Sequence, residues 1–573
     1  MTAAHRWSLT TTGAVVAALI WAVIEAGDQG LLQDRLALFL GALTMTLGAA
    51  TLAMAGPIGL IQSLVRAMGL GVMVATLLVL ASLRFEPADE VFFTPMASFA
   101  AFLVASLPLP FLIGQARGDW RDYGALFFES WSIVLRYAAA LAFVGIVWAL
   151  VLASSEVLLI VGITVIEDLL AVDVLPFAIT GAALGLGMAV IHELGDLVSP
   201  HLVLRLFRLL LPAVLVVMLV FLAALPFRGL SGLVSGLSPA LLLLVMVAGG
   251  VMLVSVTVDK ADDHAAESRI LIRSAQGMAL ILPMFAALAA WALGLRIAQH
   301  GLTPERLFVL VIAGLGLGYG MIFAAAVLRG SGWRARIRRG NVAMALVVIF
   351  ASALWLTPLL NAERLSAQNQ LARYDAGVTP VADLDLAALG RWGRSGAEVL
   401  AALAERAKDP DQAALAARLA GDSDPGGLAS AAALQALISV MPVQPATATG
   451  TRDTLLAAAY IYQLQDWQPI CARASESGGP ACLMVVADLL PLFPGEEGML
   501  ILQRDAEYTE VIGLYLGADG SLVTRPVLRA DGSYPTPEEV AALLQTWAEA
   551  PPPLTQAPIN QLGTGEAGLM LQP

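Results

Sequence analysis

Chemistry in this chain could begin with its only two cysteines, Cys471 and Cys482. Between them lies the turn-forming string Ser477-Gly478-Gly479-Pro480. In an oxidising compartment that spacing suits a disulfide closing a short loop; the alternative is two buried free thiols. Two thiolates do not complete a tetrahedral zinc site, and the last histidine in the chain is His300. His192-Glu193 with Asp196 could suggest metal or acid–base chemistry, but the second histidine of a zinc-protease helix is missing. Glu167, Asp168 and Asp173 form the best acidic group for an enzyme, and three carboxylates without a basic or nucleophilic neighbour make a thin one. Gly314-Leu315-Gly316-Leu317-Gly318-Tyr319-Gly320 contains the Gly-Tyr-Gly of a potassium filter and the glycine density of a nucleotide loop. A filter is extended and a phosphate loop follows a strand, whereas this string lies inside an apolar run, so close helix packing accounts for it better. Gly181, Gly185, Gly249 and Gly250 read the same way. No residue set is therefore assigned a catalytic, cofactor-binding or metal-binding role.

Apart from the two cysteines, which fall in the C-terminal tail, these residues lie in or beside membrane helices. The chain is 58% hydrophobic and 13% charged, with a mean hydropathy of +0.79. Soluble domains carry about 25% charged residues, and a run of about 20 apolar residues spans a bilayer core as a helix. Eleven such runs are present: Leu9–Ala26, Leu36–Ala55, Leu64–Leu83, Phe92–Gly114, Trp131–Ala153, Val174–Leu194, Leu204–Phe227, Pro239–Val258, Gly277–Ala298, Leu307–Leu328 and Val342–Leu360. The first reads as an uncleaved signal anchor, because no small-x-small site with a polar mature start follows it. Glu156–Leu170, apolar but holding Glu167 and Asp168, is expected to lie along the interface. Pro108, Pro110, Pro212 and Pro283 should kink or interrupt their spans.

Charge sets the orientation. Alternate connections, with the span ends beside them, hold fifteen Lys and Arg on one side, from Arg6 to Arg339, against five on the other: Arg35, Arg84, Arg228, Arg296 and Arg306. The rich side is expected to be cytoplasmic. An odd number of spans then exports everything after Leu360, which in a bacterium means the periplasm. Few ionisable residues lie deep in the spans; Glu25, Arg66, Arg136 and Arg296 sit within snorkelling reach of an interface.

The exported part differs in composition. Residues 1–360 hold 20 basic and 20 acidic side chains, whereas residues 361–573 hold 12 and 25, which accounts for the whole net charge of −13. An acidic tail argues against nucleic acid as a partner. Asn361–Tyr374 is expected to continue from the last span as a polar, amphipathic stretch, with helices over Leu384–Leu419 and Thr454–Trp467 and loops at Gly421–Gly427 and Pro442–Gly450. Strands are expected at Leu483–Val486, Met499–Leu502, Val511–Leu516 and Leu522–Val527, the last two joined by the turn Ala518-Asp519-Gly520-Ser521. Thr536 and Pro537 should open a final helix. The expected fold is an all-α membrane bundle of about eleven helices over residues 1–360. An α+β domain over 361–550 and a flexible Pro- and Gly-rich tail over 551–573 follow.

Two strings carry a resemblance: His300-Gly301-Leu302-Thr303-Pro304-Glu305-Arg306-Leu307 between two spans, and Asn361–Tyr374 after the last. With Trp131–Tyr137 and Arg205–Pro212, they resemble the bacterial membrane family named domain of unknown function family 4153, His300 standing where Tyr is expected. The resemblance implies a multi-pass inner-membrane protein and brings no activity or catalytic residue with it. Physically, Thr303 should cap a helix that has Pro304 first and Glu305 favouring its dipole. Both strings fall on the exported side. They are expected to touch, Thr303 and Arg306 meeting Asn361, Arg364 and Arg373, and so to couple the tail to the bundle. The leading expectation is a non-enzymatic envelope protein in contact with the lipid bilayer, presenting a periplasmic module for an envelope-protein partner or for sensing, without cofactor. The alternatives are a permease for a small or lipidic solute and a membrane enzyme acting on a lipid carrier.

Overall fold

The computed structural model describes residues 3–93, 95–193, 200–228, 239–422, 431–475, 478–490, 495–504, 508–517, 520–529, 533–555, 561–562 and 569–570. Among the described residues eleven crossings are long and apolar enough for a bilayer, and the chain is a multi-pass membrane protein. In order they are α1 (Ala3–Asp28), α2 (Asp34–Ile58), α3 (Leu60–Ser82), the broken pair α4 (Pro95–Ser106) and α5 (Pro108–Arg117), and α6 (Tyr123–Ile160). After the short α7 (Val165–Leu170) come α8 (Val174–Glu193), α9 (Pro200–Arg228), α10 (Pro239–Val258), α11 (Arg269–His300), α12 (Pro304–Leu328) and α13 (Trp333–Trp355).

Among the described residues proline breaks one crossing. The α4–α5 interruption falls at Pro108, while Pro212 and Pro283 stay inside continuous helices. The interfacial helix expected over Glu156–Leu170 is not a single element. Residues to Ile160 continue α6, which nothing stops until Gly162 at φ +76°, and only Val165–Leu170 forms a separate turn.

Small residues set the closest approach. A Cβ on Gly13 of α1 would lie 2.0 Å from the Gly181 carbonyl oxygen of α8, and one on Gly185 would lie 2.2 Å from the Leu9 carbonyl oxygen. Gly320 likewise meets Pro283 of α11, at 2.7 Å from its nitrogen. In lipid this backbone proximity is what holds helices together. Gly249 and Gly314 depart from the expectation: they point where nothing lies within 4 Å. The bundle has two large apolar cores, one among α2–α5 that also takes in Trp355, Leu356 and Ala362, the other among α9–α13.

Compact units divide at Leu403 and Ala404, so the helices that follow the last span, α14 (Ala362–Asp375), α15 (Leu386–Gly390) and most of α16 (Gly393–Arg406), belong with the bundle. The second unit holds α17 (Ala413–Asp422), α18 (Ala431–Val440), α19 (Thr449–Ala457) and α20 (Ile461–Cys471). Its sheet has the order β1 (Val443–Gln444), β2 (Cys482–Ala487), β3 (Glu497–Gln503), β4 (Thr509–Leu516) and β5 (Leu522–Pro526), followed by α21 (Pro537–Glu549). All neighbours are antiparallel except β1 with β2. The strand period of two sends Cys482, Met484, Leu500, Leu502 and Leu514 toward α18–α20. Leu483, Val485 and Ile501 face Val540 and Leu544 of α21. Both faces are covered, which is why β2 and β3 read as continuous apolar runs.

The helical stretch 384–419 is divided among α15, α16 and α17, and Thr454–Trp467 is split at Tyr460, whose N–H donates to Gln463 Oε1 (2.9 Å) and starts α20. Helix α18 and strand β1 occupy positions for which no element, or a loop, is expected. Ala518 and Asp519 of the expected turn, Gly421–Gly427 beyond Asp422, and most of the residues after Thr555 lie outside the described residues. Gln561–Leu562 and Leu569–Met570 pair antiparallel.

Candidate functional site

The most developed polar site in the bundle is a collar where the chain leaves the last crossing. Helix α13 stops at Trp355, and Asn361 then caps α14, its Oδ1 accepting from Arg364 N–H (2.8 Å). In the first turn of α14, Glu363 accepts from Arg84 (3.0 Å), which stands just past the end of α3. Both side chains are nearly excluded from solvent, at 6% and 8% exposure for Arg84 and Glu363. The same guanidinium donates to the Trp355 carbonyl (2.7 Å) and the Thr357 carbonyl (2.6 Å). A single arginine therefore ties the end of the third crossing, the end of the eleventh and the first helix beyond the bundle. The planar fork of arginine, with five donors, is what permits this.

Two more strands of contact complete the collar. Arg394 N–H donates to the Arg84 carbonyl (2.9 Å), and its side chain pairs with Glu86 at 3.0 Å. The preceding Gly393 has φ +56°, and a Cβ there would lie 2.4 Å from the Arg84 oxygen. At the α11–α12 turn, Gln370 donates to the carbonyls of His300 (3.1 Å) and Leu302 (3.0 Å), and Leu302 N–H donates to Asn369 Oδ1 (2.8 Å). Arg373 donates to the carbonyls of Ala298 (3.0 Å) and Gln299 (2.8 Å), and Arg306 to those of Gly301 (2.6 Å) and His300 (3.2 Å). These are the last carbonyls of α11, where a cation is favoured. Glu90, in the turn Ala88–Phe92 at this end, has its carboxyl pushed above the usual range by burial and then by Asp89.

Of the residues expected to meet, Arg306 and Arg373 donate to neighbouring carbonyls of the α11–α12 turn, while Asn361 caps its own helix beside the Arg84–Glu363 pair. Thr303 Oγ1 accepts from Arg306 N–H (3.3 Å) as the cap of α12. Arg364 enters through its backbone alone, its side chain being exposed. Sequence reasoning missed Arg84, Glu363, Asn369, Gln370 and Gly393. Glu363 carried a signal, as the only acid in the first turn of α14, but nothing local points to a partner 279 positions away.

At the opposite, arginine-rich end the charges are also joined. Glu129 accepts from Arg117 (2.6 Å) and lies 3.6 Å from Arg136, so Arg136 is buried against a carboxylate instead of reaching an interface. Arg208 pairs with the buried Asp259 and donates to the carbonyls of Val256 (2.9 Å) and His264 (3.0 Å). Arg338 donates to the carbonyls of Val258 (2.8 Å) and Asp259 (3.0 Å) and pairs with Asp262 (2.8 Å). Two arginines thus cap the C-terminal end of α10.

Of the other candidates, His192 packs against Gly56, and the side chain of Glu193 and the whole of Asp196 lie outside the described residues. Asp168 accepts from Thr164 Oγ1 (3.0 Å) at the start of α7. Among the described residues no three His, Cys, Asp or Glu side chains converge on a metal-sized site. In the second unit, Cys471 at the end of α20 and Cys482 at the start of β2 are joined, with S–S 2.00 Å. Arg504 forks onto both oxygens of Asp466 (3.0 and 2.8 Å) and onto Glu510 (2.7 Å). The Arg504 hydrogen bond holds the Asp466 carboxyl below its ordinary value, outweighing slight burial.

Comparison with protein-family models, with curated proteins and with solved structures found no match to this chain.

Proposed function

We propose that this chain is a bacterial inner-membrane protein whose bundle holds an acidic C-terminal unit on the periplasmic side, for interaction or sensing and without catalysis of its own. The observation that carries the reading is the Arg84–Glu363 clamp. It lies at the arginine-poor end of the bundle, where the chain departs toward its second unit, and it fixes the first helix after the last crossing. The positive-inside rule puts that end outside the cell, and an oxidising compartment suits the Cys471–Cys482 bond. Membership of domain of unknown function family 4153 belongs to the same proposal, supported by the strings around Thr303 and Asn361–Tyr374.

Crosslinking of the full chain in native membranes tests this reading. A discrete envelope protein should be captured through the second unit, and the capture should weaken when Arg84 is replaced by Met. Solute flux through vesicles containing the chain, unaffected by that substitution, would contradict it. A second reading, a permease, draws on the broken fourth crossing, whose Arg117 binds the buried Glu129. Flux abolished by Glu129→Gln would favour it.

A further inference from the structure

A groove of about 390 Å³ opens in the second unit between the β4–β5 end of the sheet and the segment leading into α21. Its walls include Tyr508 and Tyr534, 47% and 67% exposed, with Pro526 and Pro535, while Glu510 and Arg525 supply charge. Aromatic faces beside proline rings are flat and rigid, and they suit a ligand that is itself stiff and presents its backbone carbonyls outward. A polyproline helix has both properties: it makes no internal hydrogen bonds, and little entropy is lost when it docks. Simple strand addition is disfavoured here. Strand β5 is the outer strand among the described residues, but it ends in Pro526, which cannot donate to a new neighbour.

The chain carries such a ligand. Pro551-Pro552-Pro553-Leu554 follows α21 directly, in neither helix nor strand, with Leu554 62% exposed. Each proline fixes φ near −65°, so three in succession are already arranged for the polyproline conformation. The prolines of the same chain fall short of the groove. The groove is bordered by Pro537 and Val540 at the start of α21, and the helix has 13 residues, about 20 Å of rise. The one or two residues available beyond its end cover only about 6 Å at about 3.1 Å each.

We infer that the groove formed by Tyr508, Pro526, Tyr534 and Pro535 receives the proline segment Pro551–Leu554 of a second copy of this chain, in a reciprocal exchange. Each copy then gives one segment and accepts one, the closed arrangement expected of a two-fold dimer. The inference rests on reading the second unit as an interaction module.

The test uses the full chain with Pro551, Pro552 and Pro553 replaced by Ser, which leaves the groove open, in detergent with a labelled synthetic peptide of residues 549–557. Saturable binding is expected. Tyr534→Ala, at a well-exposed position, should weaken it by about tenfold or more, the scale of an aromatic anchor. Arg525→Ala is a second exposed variant and should weaken it as well. A peptide with Ser at the three proline positions should lose binding, and the full chain with Pro551, Pro552 and Pro553 replaced by Ser should sediment as a monomer where the unaltered chain is a dimer. Absence of saturation, equal binding of the Ser peptide (the mark of strand addition), or indifference to both groove variants would overturn the inference. Because detergent removes sidedness, failure here is distinct from failure of the export reading, which is tested in membranes.

Discussion

At the scale of single residues, the Arg84–Glu363 pair is the most consequential contact in the bundle. Removing one member leaves the other charge buried without its counterion, which costs roughly 3–5 kcal/mol, whereas replacing both leaves no unpaired charge and costs only the donors to the Trp355 and Thr357 carbonyls. Arg84→Met and Glu363→Gln should each lower the unfolding midpoint of the full chain in detergent, and the double variant should fall well short of their sum. Strict additivity would show that the two act independently. Arg84 also shows where sequence reading stops. Its residue type and its place at a span end were visible, but the polar ring it organises depends on residues hundreds of positions apart, whose meeting is decided by helix packing alone. Thr303, Arg306 and Arg373 were legible because capping is local and because cations are favoured at helix ends. Asp466 offers a second prediction. Its folded carboxyl lies below the ordinary value of 3.8, so its contribution is full above that value and is lost as pH falls from there through the lower folded value. Asp466 and Arg504 are 47% and 33% exposed, so solvent screening holds the contribution below about 1 kcal/mol. The difference in unfolding midpoint between the chain and Asp466→Asn should be constant near neutrality and shrink as pH falls below 3.8. A difference that persists in acid would rule out the carboxylate as its source.

At the scale of elements, hydrophobic length and period carried most of the architecture. Each of the eleven crossings was visible as an apolar run, and β2–β5 and α21 were visible through short apolar segments bounded by turn and capping signals. The two-residue β1 was not, since a strand that short has no period to read, and its parallel partner β2 lies 41 positions on in register, Val443 opposite Met484. Continuation of α6 to Ile160 was missed because acidic side chains near a helix end resemble an interfacial segment until the stop at Gly162 is recognised. Glycine spacing could suggest close packing without saying which glycines face a neighbour. The structure separates them, and this can be measured. Gly181→Ala should destabilise the bundle by about 1–3 kcal/mol, because its Cβ would meet the Gly13 carbonyl oxygen at 2.2 Å. Gly249→Ala should be neutral or stabilising by up to about 1 kcal/mol, because nothing lies within 4 Å and alanine is the better helix former. Equal effects at both sites would refute the α1–α8 contact.

At the scale of the whole molecule, two properties reinforce each other. Residues 1–360 are electrically neutral but asymmetric, with most of their arginines at one end, where they bind the terminal carbonyls of α10 and the buried Glu129 and Asp259. The acidic residues in excess are all beyond Leu360, and the chain leaves the bundle at the other end through the collar. Under the proposed orientation, arginine held at the inner leaflet and an exported acidic unit would be one and the same statement. The most direct measurement is the activity of a reporter fused after Pro573 in cells, using one enzyme that matures only in an oxidising exterior and, in a parallel fusion, one that works only in the cytosol. The account predicts that the first is active and the second silent. A working cytosolic reporter with an inactive exterior one would place the second unit inside the cell and contradict the account.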